Sequence, residues 1–179
     1  MKRPKLIVLN GFAGSGKTTI AKRYIADNPL TLLIEGDELI VNIGQWLTHE
    51  EEARRLIYEL SKQIADTHLT SGNDVIIPYL ITDNAHLISF REIAQKHDAS
   101  FYNFLLFNEK EVAIGKLLER GSWGEAGTDP IGDTDMPVIS DLYDKMASQL
   151  EAQTDAIIVA QQDRTIDQTY SFIVGHMVQ

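Results

Sequence analysis

The sequence predicts an α/β protein, a three-layer α/β/α sandwich built on a five-stranded parallel sheet. Five short apolar runs alternate with longer stretches of helical period, the pattern of strands joined by helical crossovers. The first run, Leu6-Ile7-Val8-Leu9, is apolar at every position, as in a strand covered on both faces. No repeat, low-complexity tract or Pro/Gly/Ser-rich linker divides the 179 residues, so one domain over 1–179 is expected. A chain of this length buries about 70% of its unfolded surface and needs no staple to hold a core.

The elements follow in order. The first strand is expected over residues 5–10, then a glycine-rich turn and a helix over 17–26, stopped before Pro29. Residues 31–35 form the second strand. A helical region from Glu38 leads into a longer helix opening at Thr48, where Thr48 caps and Glu51 closes a capping box. Leu56, Ile57, Leu60 and Ile64 are its apolar stripe, and Gly72-Asn73 ends it. Residues 74–80 are the third strand. Asp83 or Asn84 caps the next helix, with Leu87, Ile88 and Ile93 facing inward. The fourth strand covers 101–107, and a helix starting at Asn108 and Glu111 runs to Gly121. Between Gly121 and Met136 periodicity disappears, and four glycines and Pro130 mark a lid, a binding loop or a disordered stretch. Pro137 suits the first turn of a helix to about Ala152. Residues 155–160 are the fifth strand, and Thr165 caps the final helix.

The segment between the first strand and the first helix carries the chemistry. Gly11-Phe12-Ala13-Gly14-Ser15-Gly16-Lys17-Thr18 satisfies G-x-x-x-x-G-K-[ST] in full and falls where a phosphate loop must fall. The glycines permit turns closed to residues with a β-carbon and let the backbone approach phosphate oxygens. Successive N–H groups then point into one concavity, and the helix behind adds its positive end. Lys17 supplies a point charge for the β- and γ-phosphates, and the Thr18 hydroxyl can ligand Mg²⁺.

Composition narrows the field. Lys plus Arg is 16 against 26 Asp plus Glu, a net charge of −10 that opposes coating of a nucleic acid but allows a phosphate in a local positive pocket. With no cysteine, disulfides, thiolate metal sites and cysteine nucleophiles are excluded. The basic start is followed by an apolar stretch too short for a signal peptide or a membrane span, so a cytoplasmic setting without a membrane partner is expected. His49-Glu50-Glu51-Glu52 is followed by Ala53, so the zinc pattern H-E-x-x-H lacks its second ligand, and the other histidines (68, 86, 97 and 176) have no ligand spacing.

With the phosphate loop in place, the chain resembles the small P-loop kinases: gluconate kinase, shikimate kinase, adenylylsulfate kinase and chloramphenicol phosphotransferase. The resemblance is sharp over residues 6–20 and extends to Leu32-Leu33-Ile34-Glu35-Gly36-Asp37-Glu38-Leu39, similar to the acidic segment after the second strand in those families. It implies strand order 2-3-1-4-5 and an ATP-dependent transfer of the γ-phosphoryl group from Mg·ATP to a small-molecule hydroxyl. It also implies site residues. Gly11, Ala13, Gly14, Ser15, Gly16, Lys17, Thr18 and Thr19 would hold the nucleotide, with Thr18 and Glu35 at the metal. Asp37 would orient and deprotonate the acceptor, with Arg120 at the transferring phosphate. Each has a plainer alternative: Asp37 as a helix cap, Glu35 as a strand-end carboxylate, Arg120 as a cation at a helix C-terminus. Asp83 is a further acidic candidate for metal or base, and it serves equally as a cap.

For the acceptor the resemblance points to Asn42, Trp46, Arg54, Arg55 and Tyr79. Arg54 and Arg55 point about 100° apart on a helix, so at most one is expected to face the site. Adenine contacts are expected from Gln161-Gln162-Asp163-Arg164, with Arg164 stacked on the base. The segment between Gly121 and Met136 contains Glu125, Asp129, Asp133 and Asp135 but no Lys or Arg. That composition disfavours a phosphorylated acceptor and favours a neutral or amine-bearing one: a sugar, polyol or antibiotic. A nucleoside or nucleotide kinase and a P-loop regulatory module without a small-molecule acceptor are the alternatives. A monomer or homodimer fits either.

Overall fold

A computed structural model describes residues 3–150, 153, 155–162 and 164–177. Five strands form one parallel sheet: β1 (Lys5–Gly11), β2 (Leu32–Leu33), β3 (Val75–Pro78), β4 (Ser100–Phe107) and β5 (Ile157–Ala160). Their spatial order is β2-β3-β1-β4-β5, as the resemblance implies. Central β1 pairs Leu6 with Val75 and Phe101, and Leu9 with Pro78 and Phe104. The helices are α1 (Lys17–Asp27), α2 (Gly36–Ile40), α3 (Glu50–Leu69), α4 (Asn84–Lys96), α5 (Lys110–Arg120), α6 (Met136–Leu150) and α7 (Ile166–His176).

Period-2 alternation of β1 divides the core. Leu6 and Val8 face Tyr58, Ala65 and Leu69 of α3 and Leu87, Phe90 and Ala94 of α4. Ile7 and Leu9 face Ile20, Ala21 and Tyr24 of α1 and Tyr170 and Ile173 of α7. All four β1 residues are fully buried, which is why the run reads as continuously apolar. A third cluster joins Phe12 to Ala113 and Leu117 of α5 and Ile139, Tyr143 and Met146 of α6, with Trp123 and Ile131 packed against it. The glycine-rich segment between α5 and α6 is therefore docked through two of its own apolar side chains.

Several local expectations are corrected. Thr48 does not cap: its hydroxyl donates to the Gln45 carbonyl, and a 3₁₀ turn over Trp46–His49 feeds α3, placing His49 at the N-cap without a side-chain bond. Gln45 adopts a left-handed φ of 56°, so the chain is already coiled before Thr48. The buried stripe of α3 is Ala53, Ile57, Tyr58, Ser61, Ala65 and Leu69, whereas Leu56 and Leu60 are about half exposed, at 49% and 45%. Small side chains let this helix lie close to its neighbours, and periodicity weighted by large aliphatics misplaces the face by one position. On α4 the inward residues are Leu87, Phe90 and Ala94, and Ile88 faces solvent. The second strand is shorter than expected because only Leu32 and Leu33 pair with β3. The end of the α6 segment at Ala152 lies outside the described residues.

Asp83 does cap α4, accepting from the Ala85 N–H at 2.8 Å. Thr165 caps α7, and its hydroxyl and the Gln168 side chain form a reciprocal capping box. Thr165→Ala is expected to cost about 1 kcal/mol. In a domain of this size that lowers the melting temperature by about 2–4 °C, which calorimetry measures directly.

Candidate functional site

The carboxyl ends of β1 and β3 open into a cavity of about 1210 Å³. Ligand sites in open parallel sheets lie at this end. The turn from β1 into α1 forms one wall. Gly11 has φ 146°, and a β-carbon there would sit 2.6 Å from the Leu106 carbonyl oxygen of β4, so the loop leaves the sheet along a path only glycine can follow. Ala13, Gly14, Gly16, Lys17, Thr18 and Thr19 line the cavity. Gly11 and Ser15 lie behind that surface, and the buried Ser15 hydroxyl has no hydrogen-bond partner among the described residues. The first N–H groups of α1 have no intrahelical acceptor, so they face the cavity as unused donors.

Lys17 folds back over the loop, its Nζ donating to the Gly11 carbonyl at 2.8 Å and the Phe12 carbonyl at 2.9 Å. Desolvation brings its ammonium down to about 8; nearby Asp37 opposes that shift and Arg120 adds to it. Thr18 donates its hydroxyl to Glu35 Oε1 at 2.8 Å. Glu35 Oε2 is buried without a hydrogen bond, with the Lys22 ammonium at 3.4 Å. The expected metal-side pair is thus brought together. Among the described residues no group of three or more His, Asp or Glu could hold a metal ion. A hydroxyl beside one carboxylate suits Mg²⁺ that takes its remaining oxygens from phosphates and water.

Asp37 stands in the first turn of α2 and lines the same cavity. The residue preceding α2 is Glu35, so Asp37 is not the cap. Burial, with Glu125 adding repulsion, holds the Asp37 carboxyl above the usual carboxylate range, against the pull of Lys17 and Arg54. Arg120 ends α5 and also reaches the cavity. Its guanidinium lies over Gly124, where a β-carbon would overlap it. The segment after α5 returns through Glu125, whose side chain is only 7% exposed and accepts from Arg54 Nη2 at 2.9 Å. Arg54 also bonds Glu50, so the guanidinium at this end is occupied by two carboxylates.

The acceptor candidates divide. Arg54, Arg55 and Tyr79 line the cavity, so both arginines border it despite their angular separation. Trp46 is instead a core residue, 6% exposed among Ile40, Ala53 and Ile57. Asn42 bonds the Glu38 carbonyl at the surface and does not line the cavity. Asp83 reaches the cavity rim while capping α4. Asp74, at the opposite end of β3, is structural: it accepts from the Lys5 backbone, the Lys5 ammonium and the Tyr24 hydroxyl.

The stretch after β5 behaves differently from the expectation. Arg164 stacks over its own Phe172 ring at 4.2 Å and borders a separate cavity of about 420 Å³ with Ala160, Gln162 and Gln168. Asp163 lies outside the described residues. Gln161 is turned inward, 5% exposed, and its side chain is taken up by Ser15 and Asn108, which removes it from the expected adenine contacts. Asn10 was likewise unanticipated: its side chain accepts from the Gly11 and Ile81 N–H groups and donates to the Ile81 carbonyl, tying the loop to the strand-end segment after β3. Buried amides carry no signature in a single sequence, and only a polar residue at the end of an apolar run hinted at this one.

Sheet order, phosphate loop and cavity together define a P-loop, kinase-like α/β fold. The chain belongs to the AAA domain family, which it matches over residues 6–130. No curated protein matches it. Among solved structures it is similar to a putative kinase from Chloroflexus aurantiacus, with TM-score 0.71 and 14% identity over 99% of this chain and 98% of that one. It is also similar to a sugar kinase from Janibacter sp., with TM-score 0.65 and 20% identity over 98% and 95% of the two chains. A third similar structure is the Mycobacterium tuberculosis APS kinase CysC in complex with AMPPNP and APS, with TM-score 0.59 and 16% identity over 100% of both chains. At these identities the likeness concerns the fold.

Proposed function

We propose that this protein is an ATP-dependent phosphotransferase that moves the γ-phosphoryl group to a hydroxyl of a small neutral or amine-bearing molecule. One observation carries the reading: the phosphate loop and Asp37 open into the same cavity, whose 1210 Å³ exceeds the roughly 300–1,000 Å³ of a single-ligand pocket. A donor and an acceptor therefore have room to meet. The kinase names attached to the similar folds support it.

In this reading the N–H groups at the start of α1 and the Lys17 ammonium bind the β- and γ-phosphates of ATP. Thr18 and Glu35 would hold Mg²⁺, which neutralises charge on the phosphate oxygens. Asp37 accepts the proton of the acceptor hydroxyl as the new O–P bond forms and the bond from the γ-phosphorus to the bridging oxygen of ADP breaks. Arg120 stabilises charge on the transferring group. Arg54 already pairs with Glu50 and Glu125, and the segment from Gly121 to Met136 has no cation, which disfavours an acceptor that carries its own phosphate.

The test is ATP consumption against sugars, polyols, nucleosides and aminated antibiotics, with mass detection of products. The expected product is a phosphorylated form of an acceptor that carried no phosphate. A nucleoside monophosphate as the best acceptor would overturn the acceptor class, and ATP consumption with no phosphorylated small product would overturn the kinase.

A further inference from the structure

The carbonyl of Ser15 is the one main-chain group of the phosphate loop held by a buried side chain from the far edge of the sheet, among the described residues. Gln161 follows β5, and its Nε2 donates to that carbonyl at 2.9 Å. Its own position leaves little freedom. The Gln161 N–H donates to the Phe107 carbonyl at 3.0 Å, and its carbonyl accepts from the Arg164 N–H at 3.2 Å. The remaining side-chain oxygen accepts from Asn108 Nδ2 at 2.6 Å. Asn108 is fixed in turn: its Oδ1 accepts from Lys116 Nζ at 3.0 Å and its carbonyl from the Tyr143 hydroxyl at 2.7 Å. Asn108 and Gln161 are both nearly inaccessible, at 3% and 5% exposure, so water does not substitute for these bonds.

A trans peptide points its C=O and N–H in opposite directions. The chain has no cis peptide among the described residues, so a Ser15 carbonyl anchored inward requires the Gly16 N–H to point outward, and Gly16 lines the cavity. Gly16 is the position where a left-handed φ of 84° leaves the plane free to turn. A flexible peptide is thus held in one orientation by an amide whose donor end is fixed toward it: the Lys116 ammonium takes Asn108 Oδ1, so Asn108 donates to the Gln161 oxygen and leaves the Gln161 NH₂ for Ser15.

We propose that Gln161 is a positioning residue: by holding the Ser15 carbonyl it aims the Gly16 N–H at the phosphate chain of the bound nucleotide. The assignment rests on the nucleotide-binding part of the function proposed above. Preorganised donors of this kind bind and stabilise developing charge without reorganisation. Since Asn108 and Tyr143 complete the support, the anchor joins the loop to the ends of β4 and β5 and to α6.

The decisive variant is Gln161→Glu, which keeps the side chain's size and an acceptor for Asn108 but replaces the donor to Ser15 with an oxygen. Calorimetry with AMPPNP, ADP and AMP, each with Mg²⁺, gives the readout, and circular dichroism and a melting curve check the fold. AMPPNP and ADP are expected to bind about tenfold more weakly, with AMP unchanged, because AMP lacks the phosphates beyond the first. KM for ATP should rise more than kcat falls. Unchanged AMPPNP affinity would overturn the proposal. An equal loss for all three nucleotides would also overturn it, since that is the signature of a general structural role. Gln161→Met, which removes both bonds, should reproduce the selective loss if it folds, and a variant of wild-type affinity would count against the idea. Wild-type protein that bound none of the three would defeat the proposed function itself.

Discussion

Lys17→Ala is expected to lower phosphoryl transfer by about a thousandfold or more while leaving the fold intact. The ammonium's two hydrogen bonds go to the Gly11 and Phe12 carbonyls, where β1 ends in the loop beside the cavity, not to the interior of the sheet, so little of the fold depends on it. Its catalytic weight is expected to be large for the same reason its pKa falls. The charge stands in a poorly solvated place, where an arriving phosphate meets it with little screening. The sign of the pH effect follows. Free Lys17 titrates near 8, and phosphate binds the charged form, so affinity for Mg·ATP falls as pH rises through that value. Binding restores the proton, and at pH 8.5 calorimetry in two buffers of different ionisation enthalpy should register net proton uptake. Lys17→Ala should show none from this site. Wild-type turnover in Lys17→Ala would refute the assignment of this lysine.

Asp37→Asn is expected to reduce kcat by about a hundred- to ten-thousandfold, with nucleotide affinity preserved. Asn keeps the shape and a hydrogen bond to the acceptor but cannot take its proton. Burial and the Glu125 carboxylate raise the Asp37 pKa, so the base is ionised only above the ordinary carboxylate range. The rate should therefore rise with pH along an acid limb displaced toward neutrality, and Asp37→Asn should lose that limb. Steady-state rates from pH 4.5 to 8 decide this. A variant with undiminished kcat would move the base to Asp83 or to the solvent.

Much of the scaffold was legible because its causes are local. A fully apolar β1, a glycine turn and a lysine at the start of α1 impose a phosphate loop whatever surrounds them, and helical crossovers make neighbouring strands parallel, while the strand order was implied by the resemblance to the small P-loop kinases. Caps with a partner two or three residues away, such as Asp83 and Thr165, were also readable. Thr48 misled because the same residue type can donate backward into a 3₁₀ turn as easily as it can cap. The face of α3 was misjudged where Ala53, Ser61 and Ala65, rather than Leu56 and Leu60, make the contact, and that of α4 where Phe90, rather than Ile88, does.

The sequence by itself determined that a phosphate loop would join β1 to α1 and that Glu35 and Asp37 would follow the second strand, since adjacency along the chain is enough for both. Only the tertiary structure decided that Arg54 reaches across to Glu125, that Trp46 belongs to the core, and that Gln161 turns away from the cavity to hold Ser15 from 146 positions away. Those choices belong to packing. A buried amide or ion pair takes its partner from whatever the closing sheet brings within about 3 Å, and no local pattern records which residue that will be.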